Sequence, residues 1–207
     1  ECAERGYALA PQDPITEVQL AFACLFDRQL ARGFRHFEAR FAYKLKNYLT
    51  YPYPKWNGET DKTIYLVADQ GLGDTLSMAR FVPMVCERSQ YVHAYVQPEL
   101  LRLFQHAFAN IGNLNLLPSG EQFPAADYWS TFVSMPYALN LSDDEIRHTP
   151  QIEPLFYGQY ENWRVPDRQF HIGIAWGGSP LNEIDHHRNI PVTTFLELYR
   201  VLGIQLY

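Results

Sequence analysis

The segment Asp69-Gln70-Gly71-Leu72-Gly73-Asp74-Thr75 constrains the fold more than any other stretch of the chain. It follows the apolar run Thr63 to Ala68 and precedes a helical pattern from Leu76 to Val85, so it reads as a strand, a tight glycine turn and a helix start. Two glycines permit positive φ and the close approach of another backbone or a ligand, and Asp74 stands where a helix N-cap belongs. A helix N-terminus attracts anions, which makes the turn a candidate for a phosphate or a developing negative charge. An ordinary βα turn capped by Asp74 explains the same spacing, and spacing alone does not separate the two readings.

The 207 residues suggest one to two domains, and 47% hydrophobic with 19% charged content is that of a globular chain with a real core. No apolar stretch approaches the roughly 18 uncharged residues of a membrane-spanning helix, and Glu1-Cys2-Ala3-Glu4-Arg5 lacks the layout of a signal peptide. These features point to a soluble intracellular protein. Cys2, Cys24 and Cys86 form no CxxC pair, so they read as buried small hydrophobes rather than disulfide partners or zinc ligands. A net charge of −6 without a Lys/Arg cluster is not the footprint of a nucleic-acid binder. There is no initiator Met, and the chain closes on Gly203-Ile204-Gln205-Leu206-Tyr207, which reads as the beginning of a strand. On this reading both ends are cut and the sequence is a piece of a larger protein.

Glu1 to Ala10 and Ile15 to Leu30 are expected to be helical, separated by Pro11-Gln12-Asp13-Pro14, and Gly33 is expected to separate the second helix from a third over about Phe34 to Leu45. Ala8-Leu9-Ala10-Pro11, then Ala21, Leu25, Gly33 and Phe37, resemble one and a half degenerate tetratricopeptide units, too little to bury their own face. Between Asn47 and Glu59 runs an aromatic, proline-bearing connector whose rings suit packing between domains, with sugar stacking as the alternative. From Thr63 strand-like and helical runs alternate: Thr63 to Ala68, helix to Arg88, Tyr91 to Val96, helix Pro98 to Ala109, Leu114 to Leu117, a further strand Tyr128 to Thr131 and a short helix Val133 to Leu141. Such alternation predicts an α/β fold with a parallel sheet covered by helices. Pro150 to Pro166 reads as a linker. A second unit then begins with strand His171 to Trp176, the turn Gly177-Gly178-Ser179-Pro180, a polar loop Leu181 to Asn189 and a helix Val192 to Leu202. Both glycine turns lie at strand carboxyl ends, where open α/β sheets place ligands.

With both turns in view, the chain resembles the bacterial tetratricopeptide-linked glycosyltransferases related to the ADP-heptose:lipopolysaccharide heptosyltransferases, which have the two-Rossmann-domain GT-B architecture. The residues that carry the resemblance come in order: Trp56-Asn57-Gly58, then Asp69 to Thr75 followed by Ala79-Arg80-Phe81-Val82-Pro83, then Val96-Gln97-Pro98, then Gly173 to Pro180 leading to Arg188-Asn189-Ile190-Pro191. The resemblance covers about Gly33 to Tyr207, and the rest of the second domain, where such enzymes hold most of the nucleotide-sugar, is missing. It implies a Rossmann-like fold of GT-B type with an incomplete second lobe: a helical TPR-like segment at 1–46, a connector at 47–62, an N-terminal Rossmann-like domain at 63–150, a linker at 151–170 and the start of a second domain at 171–207.

The implied activity is metal-independent, inverting transfer of a sugar from a nucleotide-activated donor to a hydroxyl acceptor, in a bacterial cytoplasmic setting that leaves room for peripheral contact with the inner membrane. Such a reaction needs a carboxylate to take the acceptor proton and cations to stabilise the departing diphosphate. Asp74 matches the family's proposed base, with a plain helix cap as the alternative. Arg188 matches a basic residue that neutralises donor phosphate, with a solvated loop arginine as the alternative. Gly71, Gly73, Thr75, Gly177 and Gly178 are the implied substrate and donor contacts, and Arg80 serves acceptor contacts or solvent. In a closed enzyme Asp74 and Arg188 would face one cleft. The implied partners are the nucleotide-sugar donor and a glycan, lipid-linked sugar or protein acceptor, with a protein partner for the helices.

Other motifs are weaker. The third glycine of GxGxxG would fall at Leu76, and no GxxxxGK[ST] occurs. His186-His187 beside Asp185 and Glu183 reads as a solvated loop rather than a metal site, and no Ser-His-Asp or Cys-His arrangement is evident. The competing function is a non-catalytic scaffold whose helical arm and Rossmann-like body bind a protein.

Overall fold

The computed structural model describes residues 1–42, 51–118, 125–152, 170–178, 187 and 189–207, which fall into two compact units, Glu1–Leu155 and Phe156–Tyr207. The end of the expected third helix to Leu45, the start of the connector, most of the linker Pro150 to Pro166 and most of the loop Leu181 to Asn189 lie outside the described residues.

The first unit opens with helices α1 (Cys2–Leu9), α2 (Pro14–Phe26) and α3 (Leu30–Phe37), the last running into a 3₁₀ turn at Glu38–Phe41. Asp13 caps α2, its Oδ1 accepting from the Ile15 N–H at 2.9 Å, with Pro14 in the first turn where its missing N–H costs nothing. The next boundary is not at Gly33. The chain turns at Asp27-Arg28-Gln29, with Arg28 in the left-handed region at φ 61°, and Gly33 lies buried inside α3. A Cβ on Gly33 would stand 2.7 Å from both Cγ and Cδ2 of Leu25. Its missing side chain lets α2 and α3 pack closely rather than breaking a helix.

Four strands follow: β1 (Thr63–Val67), β2 (Tyr91–Val96), β3 (Leu114–Pro118) and β4 (Tyr128–Thr131). They form an all-parallel sheet in the order β3-β2-β1-β4, with Thr63 opposite Tyr91 and Ile64 opposite Tyr128. The chain is therefore α/β. The expected helix to Arg88 is split into α4 (Leu72–Met78), a 3₁₀ turn at Ala79–Phe81 and α5 (Val82–Arg88). Pro83 explains the split, because its ring clashes with the carbonyl four residues earlier and offers no N–H. α6 (Pro98–Ala107) joins β2 to β3, and β4 leads through a 3₁₀ turn to a short α7 (Met135–Ala138). An unforeseen α8 (Asp143–His148) is started by a capping box, with Ser142 Oγ accepting from the Glu145 N–H and Glu145 Oε2 accepting from the Ser142 N–H.

Alternation along the central strands separates two layers. Ile64, Leu66, Val92, Ala94 and Val96 join Val82, Val85, Phe104 and Phe132 in one apolar core, which also takes in Phe34 of α3. Tyr65 and Tyr95 point the other way into an aromatic layer: the Tyr65 ring lies 4.9 Å from Tyr95 and 5.3 Å from Tyr51, and Tyr51 lies 4.8 Å from Trp129. Through Tyr51 the connector thus packs against the sheet of its own unit. Its backbone also runs along β4, with the Trp129 N–H donating to Pro54 O at 3.0 Å and the Trp56 N–H to Trp129 O at 2.8 Å. Of the cysteines, Cys24 and Cys86 are buried, the thiol of Cys86 being pushed up to about 12 by burial, whereas Cys2 is exposed and is not the buried hydrophobe expected.

The second unit contains a two-stranded parallel sheet of β5 (Phe170–Ile172) and β6 (Ile204–Leu206), with α9 (Val192–Phe195) running into a 3₁₀ turn at Leu196–Arg200. β5 ends earlier than the predicted strand to Trp176, and the predicted helix to Leu202 is shorter and partly 3₁₀. Among the described residues no helix is long and apolar enough to cross a membrane.

Gly58 gives a test of the connector. Its φ is 93°, and a Cβ would lie 2.4 Å from the carbonyl oxygen of Ala138. Gly58→Ala combines left-handed strain with a backbone clash and is expected to cost about 3 kcal/mol, read as a lower urea midpoint at unchanged slope.

Candidate functional site

β1 is central in the sheet, and β2 and β4 flank it with chain connections that leave in opposite directions. Its carboxyl end is therefore a topological switch point. The turn that follows is held from both sides. On one side Gln97, just past β2, donates through Nε2 to Gln70 O at 2.9 Å and to Thr75 Oγ1 at 3.0 Å, while Thr75 Oγ1 donates to Gly71 O at 3.2 Å. On the other side Asp69 accepts through Oδ2 from Nη2 of Arg40 at 3.0 Å and from its Nε at 3.3 Å.

That Arg40 contact belongs to a buried charge cluster. The Arg40 side chain is only 4% exposed and that of Asp69 6%. Nη2 of Arg40 also donates to Thr131 Oγ1 and Ser134 Oγ at 2.8 Å each, at the carboxyl end of β4, and Nη1 donates to Phe37 O at 3.1 Å and Glu38 Oε1 at 2.8 Å. Glu38 in turn pairs with Lys55. The guanidinium lies 4.1 Å from the centre of the Phe41 ring, and Lys55 Nζ lies 3.6 Å from the same ring. Two cations and two carboxylates balance, which is what makes their burial tolerable. Burial nevertheless outweighs the pull of Glu38 and lowers the pKa of Lys55, and it raises that of Tyr51, with the charge of Asp69 adding to the rise.

Between these two anchors Gly71, Leu72, Gly73 and Asp74 are exposed. Asp74 is not the N-cap. The cap is Gly71, with φ −67° and ψ 169°, and Asp74 is the third helical residue, its Oδ2 accepting from the Gly71 N–H at 3.2 Å. Neither Gly71 nor Gly73 has the positive φ that the sequence suggested. Their lack of side chains acts through space instead: a Cβ on Gly73 would meet nothing within 4 Å, so the outer face of the turn is bare. The second carboxylate oxygen of Asp74 has no hydrogen-bond partner among the described residues and is free to accept from a ligand.

The remaining candidates fall elsewhere. Thr75 is buried and fastens the turn. Arg80 follows α4, its Nη1 donating to Thr149 O at 3.3 Å, and shares no hydrogen bond with the turn. In the second unit Gly177 and Gly178 are exposed, and the Gly178 N–H donates to Asn189 Oδ1 at 3.1 Å. Arg188 lies outside the described residues, as do His186, Asp185 and Glu183; among the described residues no cluster of His, Cys, Asp or Glu has the geometry of a metal site. Arg40, Glu38, Lys55 and Gln97 were not singled out from the sequence as site-forming. The one available signal was an arginine set among Phe34, Phe37 and Phe41. No family model, curated protein or solved structure matches the chain.

Arg40→Met retains the apolar stem but leaves Asp69 without its cation. We expect a loss of about 3–5 kcal/mol by urea denaturation, and a double-mutant cycle with Asp69→Asn should return a favourable coupling energy between the two. Additive losses would mean that the pair does not act as a unit.

Proposed function

We propose that the chain is part of a metal-independent glycosyltransferase of GT-B type that moves a sugar from a nucleotide-activated donor to a hydroxyl acceptor, with inversion. The observation that carries this reading is the bare turn at the carboxyl end of the central strand, which presents the carboxylate of Asp74 to solvent at the edge where parallel α/β sheets bind ligands. The ordered motifs from Trp56 to Pro191 support it, and the helices α1 to α3 are then a TPR-like arm.

In the proposed reaction the acceptor oxygen attacks the sugar's anomeric carbon from the face opposite the diphosphate. A bond forms from that oxygen to carbon as the carbon–phosphate oxygen bond breaks, and the electron pair leaves with the diphosphate. Asp74 accepts the proton released by the acceptor hydroxyl. Gly71 holds Asp74 through one oxygen, which leaves the other for the acceptor. Gly73 keeps that face clear. Arg188, with the backbone of Gly177 and Gly178, is proposed to meet the negative charge of the leaving diphosphate.

Asp74→Asn keeps an oxygen for the Gly71 N–H while removing the base. In the intact protein it should lower turnover by on the order of 10²–10⁴ with little change in stability, and wild-type turnover by this variant would return Asp74 to a capping role. A thermal-shift panel of nucleotide sugars should show stabilisation by one nucleotide class, identifying the donor. A specific observation favours the second reading, a protein-binding scaffold: Phe26 is 95% exposed, Leu9 88% and Phe22 56%, an apolar surface on the helical segment. Silence across the whole panel would favour that reading.

A further inference from the structure

Away from the Gly71–Asp74 turn, the first unit contains an open groove of about 540 Å³ between the 3₁₀ turn and α5, the carboxyl end of α6, and the segment after α8. Its walls are mostly apolar, with Pro83, Met84, Phe108, Ile111 and Ile152 among them. Arg80 also lines the groove. Its guanidinium carbon stands 4.7 Å from the centre of the Phe81 ring, and its one hydrogen bond among the described residues, to Thr149 O at 3.3 Å, is long. Among the described residues the fully covered Nε has no hydrogen-bond partner, and no carboxylate pairs with the side chain. Burial pulls the pKa of Arg80 below the ordinary arginine value, so its charge is held at a cost that an anion would relieve. The volume falls in the range of small-molecule sites, which are typically apolar with a few polar groups that fix orientation.

We propose that this groove binds an amphipathic anion: a hydrocarbon chain lying along Met84, Phe108 and Ile111, with a carboxylate or phosphate head on Arg80. The apolar walls recognise the chain by area removed from water, and the guanidinium recognises the head by paired, charge-assisted hydrogen bonds. Arg80 stands in the 3₁₀ turn after α4 and shares no hydrogen bond with the Gly71–Asp74 turn, so the site does not depend on the proposed transfer chemistry.

The test is calorimetric titration of the intact protein with octanoate, octyl phosphate, octanol and inorganic phosphate. At least one of the two octyl anions should bind about tenfold or more tightly than octanol, and the tighter of the two assigns the head group. Inorganic phosphate alone, lacking the chain, should show no measurable heat. Arg80→Gln should bring the preferred anion down to the level of octanol while leaving octanol itself unchanged. Met84→Trp, which fills the groove without touching the charge, should remove binding of all three octyl compounds, and Asp74→Asn should alter none of them. Equal binding of octanol and both anions, no binding of either anion to the wild-type protein, or anion binding undiminished in both groove variants would overturn the proposal.

Discussion

The buried guanidinium of Arg40 is the contact on which the first unit depends. It belongs to the helical segment, yet its hydrogen bonds end on Asp69 after β1 and on Thr131 and Ser134 at the end of β4. Two strands and one helical arm are thereby tied at a single side chain. Neighbouring carboxylates are needed because an arginine removed from water without them would be strongly unfavourable. The reverse also holds: Asp69 and Glu38 are tolerable there because Arg40 and Lys55 are present. The cluster lies beside the carboxyl ends of β1 and β4, where Asp69, Thr131 and Ser134 are all engaged with Arg40. What stays open is the next stretch of chain, the turn that carries Asp74.

The two anchors of that turn differ in kind. Arg40 holds Asp69 by charge in a dry environment, whereas Gln97 holds Gln70 and Thr75 by neutral hydrogen bonds from the neighbouring strand. Fixing the backbone on both sides of two glycines gives a short segment with little side-chain bulk and little freedom. A carboxylate placed there loses little further entropy when it meets a partner.

Much of this architecture was legible in the sequence. The four strands of the main sheet were predictable to within a residue, because short strand-like runs bounded by turn residues alternate with helical ones. Helix boundaries were less so. Gly33 reads as punctuation, since a glycine's effect on its own backbone is visible in sequence while its effect on a neighbour such as Leu25 is not. Pro83 interrupts a pattern that is otherwise continuous from Leu72 to Arg88. The charge cluster was invisible for a similar reason: Arg40 meets partners 29, 91 and 94 residues away, and only the fold brings them together. The Asp69–Thr75 turn is legible in its glycines, but the place of Asp74 within it, third helical residue and not cap, is set by backbone hydrogen bonds that the spacing does not reveal.

The bridge that the connector makes beside β4 has a bearing on how much of the sheet's rim is open to another chain. A sheet rim with unused amide donors is a template on which a foreign strand can add, and crowding turns that into aggregation. Here the rim beyond β4 is met by the connector, where Pro54 O accepts from the Trp129 N–H and the Trp56 N–H donates to Trp129 O, so that the backbone groups of Lys55 between them face away from the sheet. The segment takes up the outer backbone N–H and C=O of Trp129 through that one bridge. At the opposite rim β3 ends on Pro118. A rim covered by a single bridge offers an incoming strand only a short run of backbone groups, too little to template edge-to-edge growth.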